Sequence, residues 1–337
     1  MHEVDGSDGG GQLLRTSLAV ALVTGESVRV ENVRGSRPEP GLRPQHVTAL
    51  ELAAAVSDAT VEGATAGSET VVFEPEALCG GQYAVDVGTA GSVTLVFDTV
   101  LPAALALDEP IRIEARGGTH VAWSPPVTTY ERVKLPLLRR FGLQAALECD
   151  RPGFYPVGGG TATLTLAPST PAPIRLADRG AMAGVRVHSL ASESLADADV
   201  AERQATAAVS ELESDGYDVL ERSVTYAASD CPGSAITVTA DYRHSVAGFD
   251  ALGERGKPAE AVATEAVDQI REFDADEAAI DPHLADQLLV VLAFAGGAVR
   301  IPSATDHVTT SLDLLADLGV PLRTERGDGT VLVERPT

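Results

Sequence analysis

The sequence predicts an α+β fold: a large domain of repeated βαβαββ units with a smaller α+β domain inserted into it. Three observations predict it. The string Gly6-Ser7-Asp8-Gly9-Gly10-Gly11-Gln12-Leu13-Leu14-Arg15-Thr16-Ser17 is echoed about eighty residues later by Val87-Gly88-Thr89-Ala90-Gly91-Ser92-Val93-Thr94-Leu95. After each string the same order of apolar helix, turn and β-branched strand follows, and self-similarity at a fixed spacing marks a duplicated structural unit. A third copy closes the chain, separated from the second by a segment with a different pattern.

Element by element, Val4-Asp5 lies over Val85-Asp86 as the first strand, and a helix over 13–23 lies over one at 93–105. Val28-Arg29-Val30-Glu31 corresponds to Ile111-Arg112-Ile113-Glu114, whose alternation is that of a half-buried strand. Second helices follow at 47–55 and 133–141, and two strand-like runs close each unit. In the third copy the first helix covers 284–295, the strand 298–301, the second helix 311–318 and the last strand 331–333. The first two units fill residues 1 to 168, and the third begins near 277. Between them lie a strand at 185–187, a helix at 196–214, strands at 219–226 and 236–242, and a helix at 258–273 with acidic residues along a water-facing side. Pro168-Ser169-Thr170-Pro171-Ala172-Pro173 and Asp274-Ala275-Asp276-Glu277 punctuate its ends. These boundaries imply a discontinuous large domain, 1–178 with 277–337, and an inserted domain, 179–276.

The chain has 337 residues, 44% of them hydrophobic, and a formal net charge of -24. That length supports a sizeable core. The acid is spread rather than gathered in a tail, and Lys134 and Lys257 are the only lysines, a pattern suited to solvation in concentrated salt. Net charge then speaks to solubility rather than to partner. In about 1 M salt the Debye length falls to about 3 Å, so an acidic surface does not exclude RNA. It directs attention to local arginine clusters, and Arg34-Gly35-Ser36-Arg37 with Arg43 is the densest in the first half. Cys79, Cys149 and Cys231 share no metal-ligand spacing, which disfavours a zinc site or a disulfide scaffold. The absence of a leader and of a long apolar run implies a cytoplasmic protein with no membrane partner.

Glycine-rich loops before helices suit anions, because unpaired N–H groups and the helix dipole converge there. The first loop lacks the lysine of G-x-x-x-x-G-K-[ST] and does not fit G-x-G-x-x-G, which disfavours the usual nucleotide motifs. If the chain handles a nucleotide covalently, neither lysine sits in Lys-x-Asp-Gly and the histidines are the next candidates, although taken alone a loop histidine near a helix start is more often a surface residue than a nucleophile. His307, after Pro302-Ser303-Ala304-Thr305-Asp306, opens a helix whose positive end favours an attached phosphate. His46 and His283 also stand at helix starts, where capping or packing is the ordinary role, and Asp286 with Gln287 interrupts an apolar helix, as residues do that face a polar cleft or cap a first turn.

Together, Asp8-Gly9-Gly10-Gly11-Gln12-Leu13-Leu14-Arg15-Thr16-Ser17, Arg34-Gly35-Ser36-Arg37 with the run from Pro40 to His46, Gly88-Thr89-Ala90-Gly91-Ser92, Gly117-Gly118-Thr119, Gly153-Phe154-Tyr155-Pro156-Val157-Gly158-Gly159-Gly160, Leu284-Ala285-Asp286-Gln287 and the loop ending at His307 resemble the RNA 3'-terminal phosphate cyclases. The resemblance runs in order over almost the whole chain. It implies repeats like those of the enolpyruvyl transferases and of the C-terminal domain of translation initiation factor three. It also implies that ATP and a divalent ion, Mg or Mn, are used to convert an RNA 3'-phosphate to a 2',3'-cyclic phosphate. AMP attaches first to a histidine, then to the RNA 3'-phosphate, and the vicinal 2'-OH displaces it.

Residue by residue, the resemblance makes His307 the adenylylated histidine and puts Arg15, Arg34, Arg37 and Arg43 in a basic pocket, with Gln45 as a polar contact. It assigns His283, Leu284, Ala285, Asp286 and Gln287 to the nucleotide-binding segment, packs Pro125 against adenine and gives Asp8 to the metal. Three positions depart from the family pattern: Asp8 replaces a glutamate one methylene longer, Asp98 a glutamine near the nucleotide, and His283 a tyrosine. The implied partners are ATP and RNA with a 3'-terminal phosphate, and a homodimer is a permitted assembly. Two other readings share the fold: a non-catalytic relative that binds RNA in ribosome assembly, and an enolpyruvyl-transferase-like enzyme on a small phosphorylated substrate. Retention of His307 and the arginines favours catalysis.

Overall fold

A computed structural model describes residues 1–327 and 329–335. Its fold is α+β, with four four-stranded sheets, three of them built to one plan. In the first, His2–Asp5 runs parallel to Val28–Glu31, which pairs antiparallel with Val71–Glu74, and that strand with Thr60–Glu62. The second repeats this order with Gly81–Asp86, Ile111–Gly117, Gly160–Leu166 and Ala145–Arg151. The third repeats it with Ile174–Leu176, Gly297–Ile301, Val331–Glu334 and Arg323–Arg326.

The third sheet revises the sequence expectation. Its first strand, Ile174–Leu176, lies before the intervening segment, so that segment interrupts the third unit between first strand and first helix. A three-residue strand preceded by prolines carries no periodicity to read.

Helices Gly10–Thr24, Pro44–Ser57 and Val93–Val100 pack together with the three sheets around one continuous core. Leu14, Leu18, Leu50 and Leu52 are fully enclosed there, each contributing about 1.5–3 kcal/mol by burial. The helix expected over 133–141 begins earlier, at Val127, and widens into a π turn at Tyr130–Lys134 before continuing as Leu135–Arg140. The helix expected over 284–295 is broken into Pro282–Gln287 and Leu289–Ala295.

The fourth sheet, in the order Val219–Ala227, Met182–Ser192, Ser234–Tyr242 and Val246–Leu252, covers helices Val200–Ser214 and Ala259–Asp274 with a core of its own. Strand Val246–Leu252 lies outside the sequence expectation, its pattern diluted by Ala247, Gly248 and Ala251. It faces the repeats: Gly248 N–H donates to Asp281 at 3.2 Å, and Thr129 Oγ1 donates to Asp250 at 3.0 Å.

Candidate active site

The glycine string, the arginine loop and the first helices of the second and third units meet at a cavity of about 970 Å³, to which strand Val246–Leu252 adds Asp250. The first unit supplies a basic wall. Gly10 adopts φ 59°, where glycine is unstrained, and the Arg37 guanidinium comes within 3.3 Å of where a β-carbon would sit. Gly11 is required by contact, since its β-carbon would stand 2.1 Å from His46 Nε2. That ring is buried, and its Nδ1 accepts the Arg43 N–H at 3.0 Å, which fixes the start of helix Pro44–Ser57. Burial first, and then Arg15, Arg34 and Arg43, push the His46 pKa down to about 3. It is therefore neutral, and its role is capping and support.

The loop before that helix is braced by its own arginines. Arg34 Nη1 donates to the carbonyls of Glu39 and Gly41, each at 2.9 Å, and Arg43 pairs with Glu39. A guanidinium carries five N–H donors, so each retains capacity for an anion. Desolvation and then the charges of Arg43 and Arg37 hold the Arg34 pKa below its usual value. A bound anion relieves that crowding.

The floor mixes charges. Lys134, carried inward by the π turn, is buried and pairs with Asp98. Its ammonium also lies 4.7 Å from the centre of the Tyr130 ring. Arg15 faces Asp98 and Asp286, yet desolvation outweighs both and lowers its pKa. Desolvation raises that of Asp286 against the opposing pull of His307, Lys134 and Arg15. Asp98 thus serves an internal cation as well as lining the cavity.

His307 enters from the third unit at the start of helix Asp306–Asp317, whose N-cap Thr305 accepts from Val308 N–H at 3.2 Å. Its Nδ1 lies 2.5 Å from Gln12 Oε1. Gln12 Nε2 in turn donates to Ser311 Oγ at 2.6 Å and toward the His307 carbonyl at 3.4 Å. A carbonyl only accepts, so with Oε1 toward the ring the amide takes its hydrogen bond from Nδ1–H, and in the neutral imidazole the lone pair then falls to Nε2.

Gln45 Oε1 accepts from Ser92 N–H at 3.1 Å, tying the first unit to the second glycine loop. Pro125 lines the cavity while its carbonyl accepts from Thr94 Oγ1 at 2.7 Å. His283, Asp286 and Gln287 line it from the third unit, at the i, i+3, i+4 spacing of one face of helix Pro282–Gln287, and Val290 joins them from helix Leu289–Ala295. Leu284 and Ala285 do not: they point to the opposite face and are buried in the core. The five-residue segment assigned to nucleotide binding is therefore split by helical geometry. Asp8 is exposed and outside the cavity lining. Among the described residues no group of three or more His, Cys, Asp or Glu side chains is disposed to hold a metal ion.

Sequence reading assigned no role to Gln12, Lys134, Trp123 or Asp250, and all but Lys134 line the cavity. Lys134 had a signal, a lysine on an otherwise apolar stretch, whereas Asp250 had none because its strand was unrecognised. Burial pushes the Asp250 pKa up to about 6, with Thr129 and His283 opposing and Asp281 and Glu265 adding to the rise. A folded-state pKa above the unfolded one adds stability that is complete at low pH and is lost as pH rises through about 6, amounting to about 2–3 kcal/mol. The unfolding free energy of wild type minus that of Asp250→Asn is expected to fall by that amount between about pH 4 and pH 7. A difference independent of pH contradicts it.

The family model described as RNA 3'-terminal phosphate cyclase matches residues 7–320. Among curated relatives, the RNA 3'-terminal phosphate cyclase of Halobacterium salinarum strain R1 is 47% identical over 344 aligned positions, covering 99% of each chain. That of Pyrococcus furiosus is 39% identical over 312 positions, covering 92% of this chain and 90% of its own. A crystal structure of the enolpyruvyl transferase NikO from Streptomyces tendae aligns with a TM-score of 0.40 at 14% identity, over 99% of this chain and 48% of that one, a likeness that carries no argument. A family match spanning nearly every element around the cavity, and full-length identity at these levels, make this chain a member of the RNA 3'-terminal phosphate cyclase family.

Proposed function

We propose that this protein is an RNA 3'-terminal-phosphate cyclase that consumes ATP and attaches AMP to His307. The observation that carries the reading is the Gln12–His307 contact, which in the neutral ring directs the proton to Nδ1 and leaves Nε2 as the lone-pair nitrogen, beside a cavity lined by four arginines. The Nε2 lone pair attacks the α-phosphorus of ATP, the bond to pyrophosphate breaks, and the proton stays on Nδ1, hydrogen-bonded to Gln12 Oε1, as the ring becomes cationic. An oxygen of the RNA 3'-phosphate next attacks the same phosphorus, breaking the P–N bond and returning a neutral imidazole. Finally the 2'-OH attacks the 3'-phosphorus, AMP departs, and the hydroxyl proton is released. Arg15, Arg34, Arg37 and Arg43 hold the phosphates and offset the charge that builds in each in-line displacement.

Pro125 and His283 flank the base, with Asp98, Gln45, Asp286 and Gln287 as polar contacts. For the divalent ion, Asp8, next in the chain to the cavity-lining Gly9 but outside the lining itself, would offer a single carboxylate. A lone protein carboxylate suits a hard cation that takes its other ligands from phosphates and water, and such an ion neutralises phosphate charge when bound. In domain terms, 1–178 with 277–337 form the catalytic domain and 179–276 the inserted one, which contributes Asp250.

The test is conversion of a 3'-phosphorylated oligoribonucleotide, with ATP in molar KCl, to an end resistant to phosphatase. An end that stays phosphatase-sensitive contradicts the reading.

Gln12 acts as a positioning residue. Gln12→Ala frees the imidazole tautomer and ring, and the rate of protein adenylylation is expected to fall about 10²-fold. Gln12→Glu, which still accepts from Nδ1, recovers most of that loss and moves the pH profile of the step upward, because a carboxylate favours imidazolium. Equal loss in both variants, with no change of profile, contradicts the positioning role.

A further inference from the structure

Trp123 is the chain's one tryptophan, and it is 99% exposed at the rim of the cavity that holds the arginines. Its backbone adopts φ 60°, an unfavourable region for a bulky side chain. The loop that carries it is pinned on both sides. Before it, the buried His120 ring is held by Thr119 Oγ1 at 2.8 Å and Thr128 Oγ1 at 2.9 Å. After it, Ser124 Oγ donates to the Val121 carbonyl at 3.1 Å, and Thr94 Oγ1 holds the Pro125 carbonyl. A fixed loop therefore displays a large aromatic ring to solvent at the mouth of a basic cleft.

A contact suited to RNA in concentrated salt has to work without long-range charge. Ion-pair contributions to nucleic-acid binding fall steeply as salt rises, whereas stacking of bases on aromatic rings persists and accepts every base. A chain of net charge -24 supplies no general attraction to a polyanion. Inside the cleft a nucleotide base has Pro125 and His283 as walls, so the outer ring is left for a partner that runs from the cleft into solvent, as a polymer does.

We infer that Trp123 is the stacking platform for the terminal nucleobase of a single-stranded RNA whose 3'-phosphate lies on the arginines. The inference rests on the cyclase reading above and extends it to the substrate's base.

The test follows tryptophan emission of the intact protein in molar KCl as a 3'-phosphorylated oligoribonucleotide is added, with conversion to the cyclic end measured on the same samples. The emission is expected to be quenched to saturation by that RNA, to be left nearly unchanged by ATP alone, and to be quenched far less by an oligonucleotide whose 3'-terminal residue lacks its base. Trp123→Ala is expected to raise KM for RNA between about fivefold and about a hundredfold, the range for loss of one stacked base, with kcat changed by less than about twofold. Trp123→Phe retains most of the affinity. Cyclisation by Trp123→Ala with a normal KM, or quenching by ATP alone, overturns the inference and leaves the cyclase reading standing. Absence of cyclisation by the wild-type protein overturns that reading and the inference with it.

Discussion

Replacing His307 by alanine is expected to lower conversion of a 3'-phosphorylated RNA by about 10⁴-fold or more, the scale on which enzymes lose a covalent nucleophile. The fold is expected to survive. His307 is exposed, the helix it opens is capped by Thr305 rather than by the imidazole, and Gln12 keeps its hydrogen bond to Ser311. The loss is confined to the steps that make and break the P–N bond. RNA supplied with AMP already joined to its 3'-phosphate bypasses those steps, so His307→Ala is expected to cyclise it at close to the wild-type rate. Retained conversion of the plain 3'-phosphate in this variant removes His307 from the mechanism.

The largest effect on stability is expected at Lys134. Its ammonium is buried against Asp98, and taking away one member of a buried ion pair strands the other at a cost of about 3–5 kcal/mol. Arg15 also faces Asp98 and compensates part of that charge, which places Lys134→Ala near the lower end, at about 3 kcal/mol. Removing both charges with apolar replacements of similar volume, Asp98→Leu with Lys134→Met, is expected to restore part of the stability, because Arg15 then keeps Asp286 alone as its opposing charge. Denaturant unfolding at fixed salt reads both changes. A Lys134→Ala midpoint equal to wild type contradicts the buried pair.

The repeat was legible because the first two units carry the same glycine loop and all three carry an apolar helix followed by a β-branched strand, whose alternation is dictated by burial of one face. What was hidden lay where local pattern and tertiary role diverge. Ile174–Leu176 is too short to show a period, and it joins Gly297–Ile301 across the whole intervening segment. Strand Val246–Leu252 is diluted by small residues because Gly248 packs against Val133, where a β-carbon would stand 2.5 Å from Cγ2. Missing that strand concealed Asp250. The arginines, Gln45 and His307 were visible through motif resemblance, and the cavity gathers them. Leu284 and Ala285 were visible too, but a contiguous motif does not say which of its residues face the ligand. Helical spacing does, and it separates His283, Asp286 and Gln287 from the buried pair. Gln12 was quoted in the first glycine string without a role, because its partner His307 is distant in sequence and only the fold brings them together.

The acidic surface bears on how any assay is run. With a net charge of -24, exposed carboxylates repel one another in dilute buffer, and salt relieves that repulsion.

The central claim is that His307 carries AMP, and incubation with α-labelled ATP and Mg²⁺ in molar KCl, followed by denaturing electrophoresis, tests it most directly. The expected result is label on the wild-type chain in an acid-labile, alkali-stable bond, absent from His307→Ala and released on addition of 3'-phosphorylated RNA. Folded wild-type protein that takes up no label, or label that persists in His307→Ala, would contradict it.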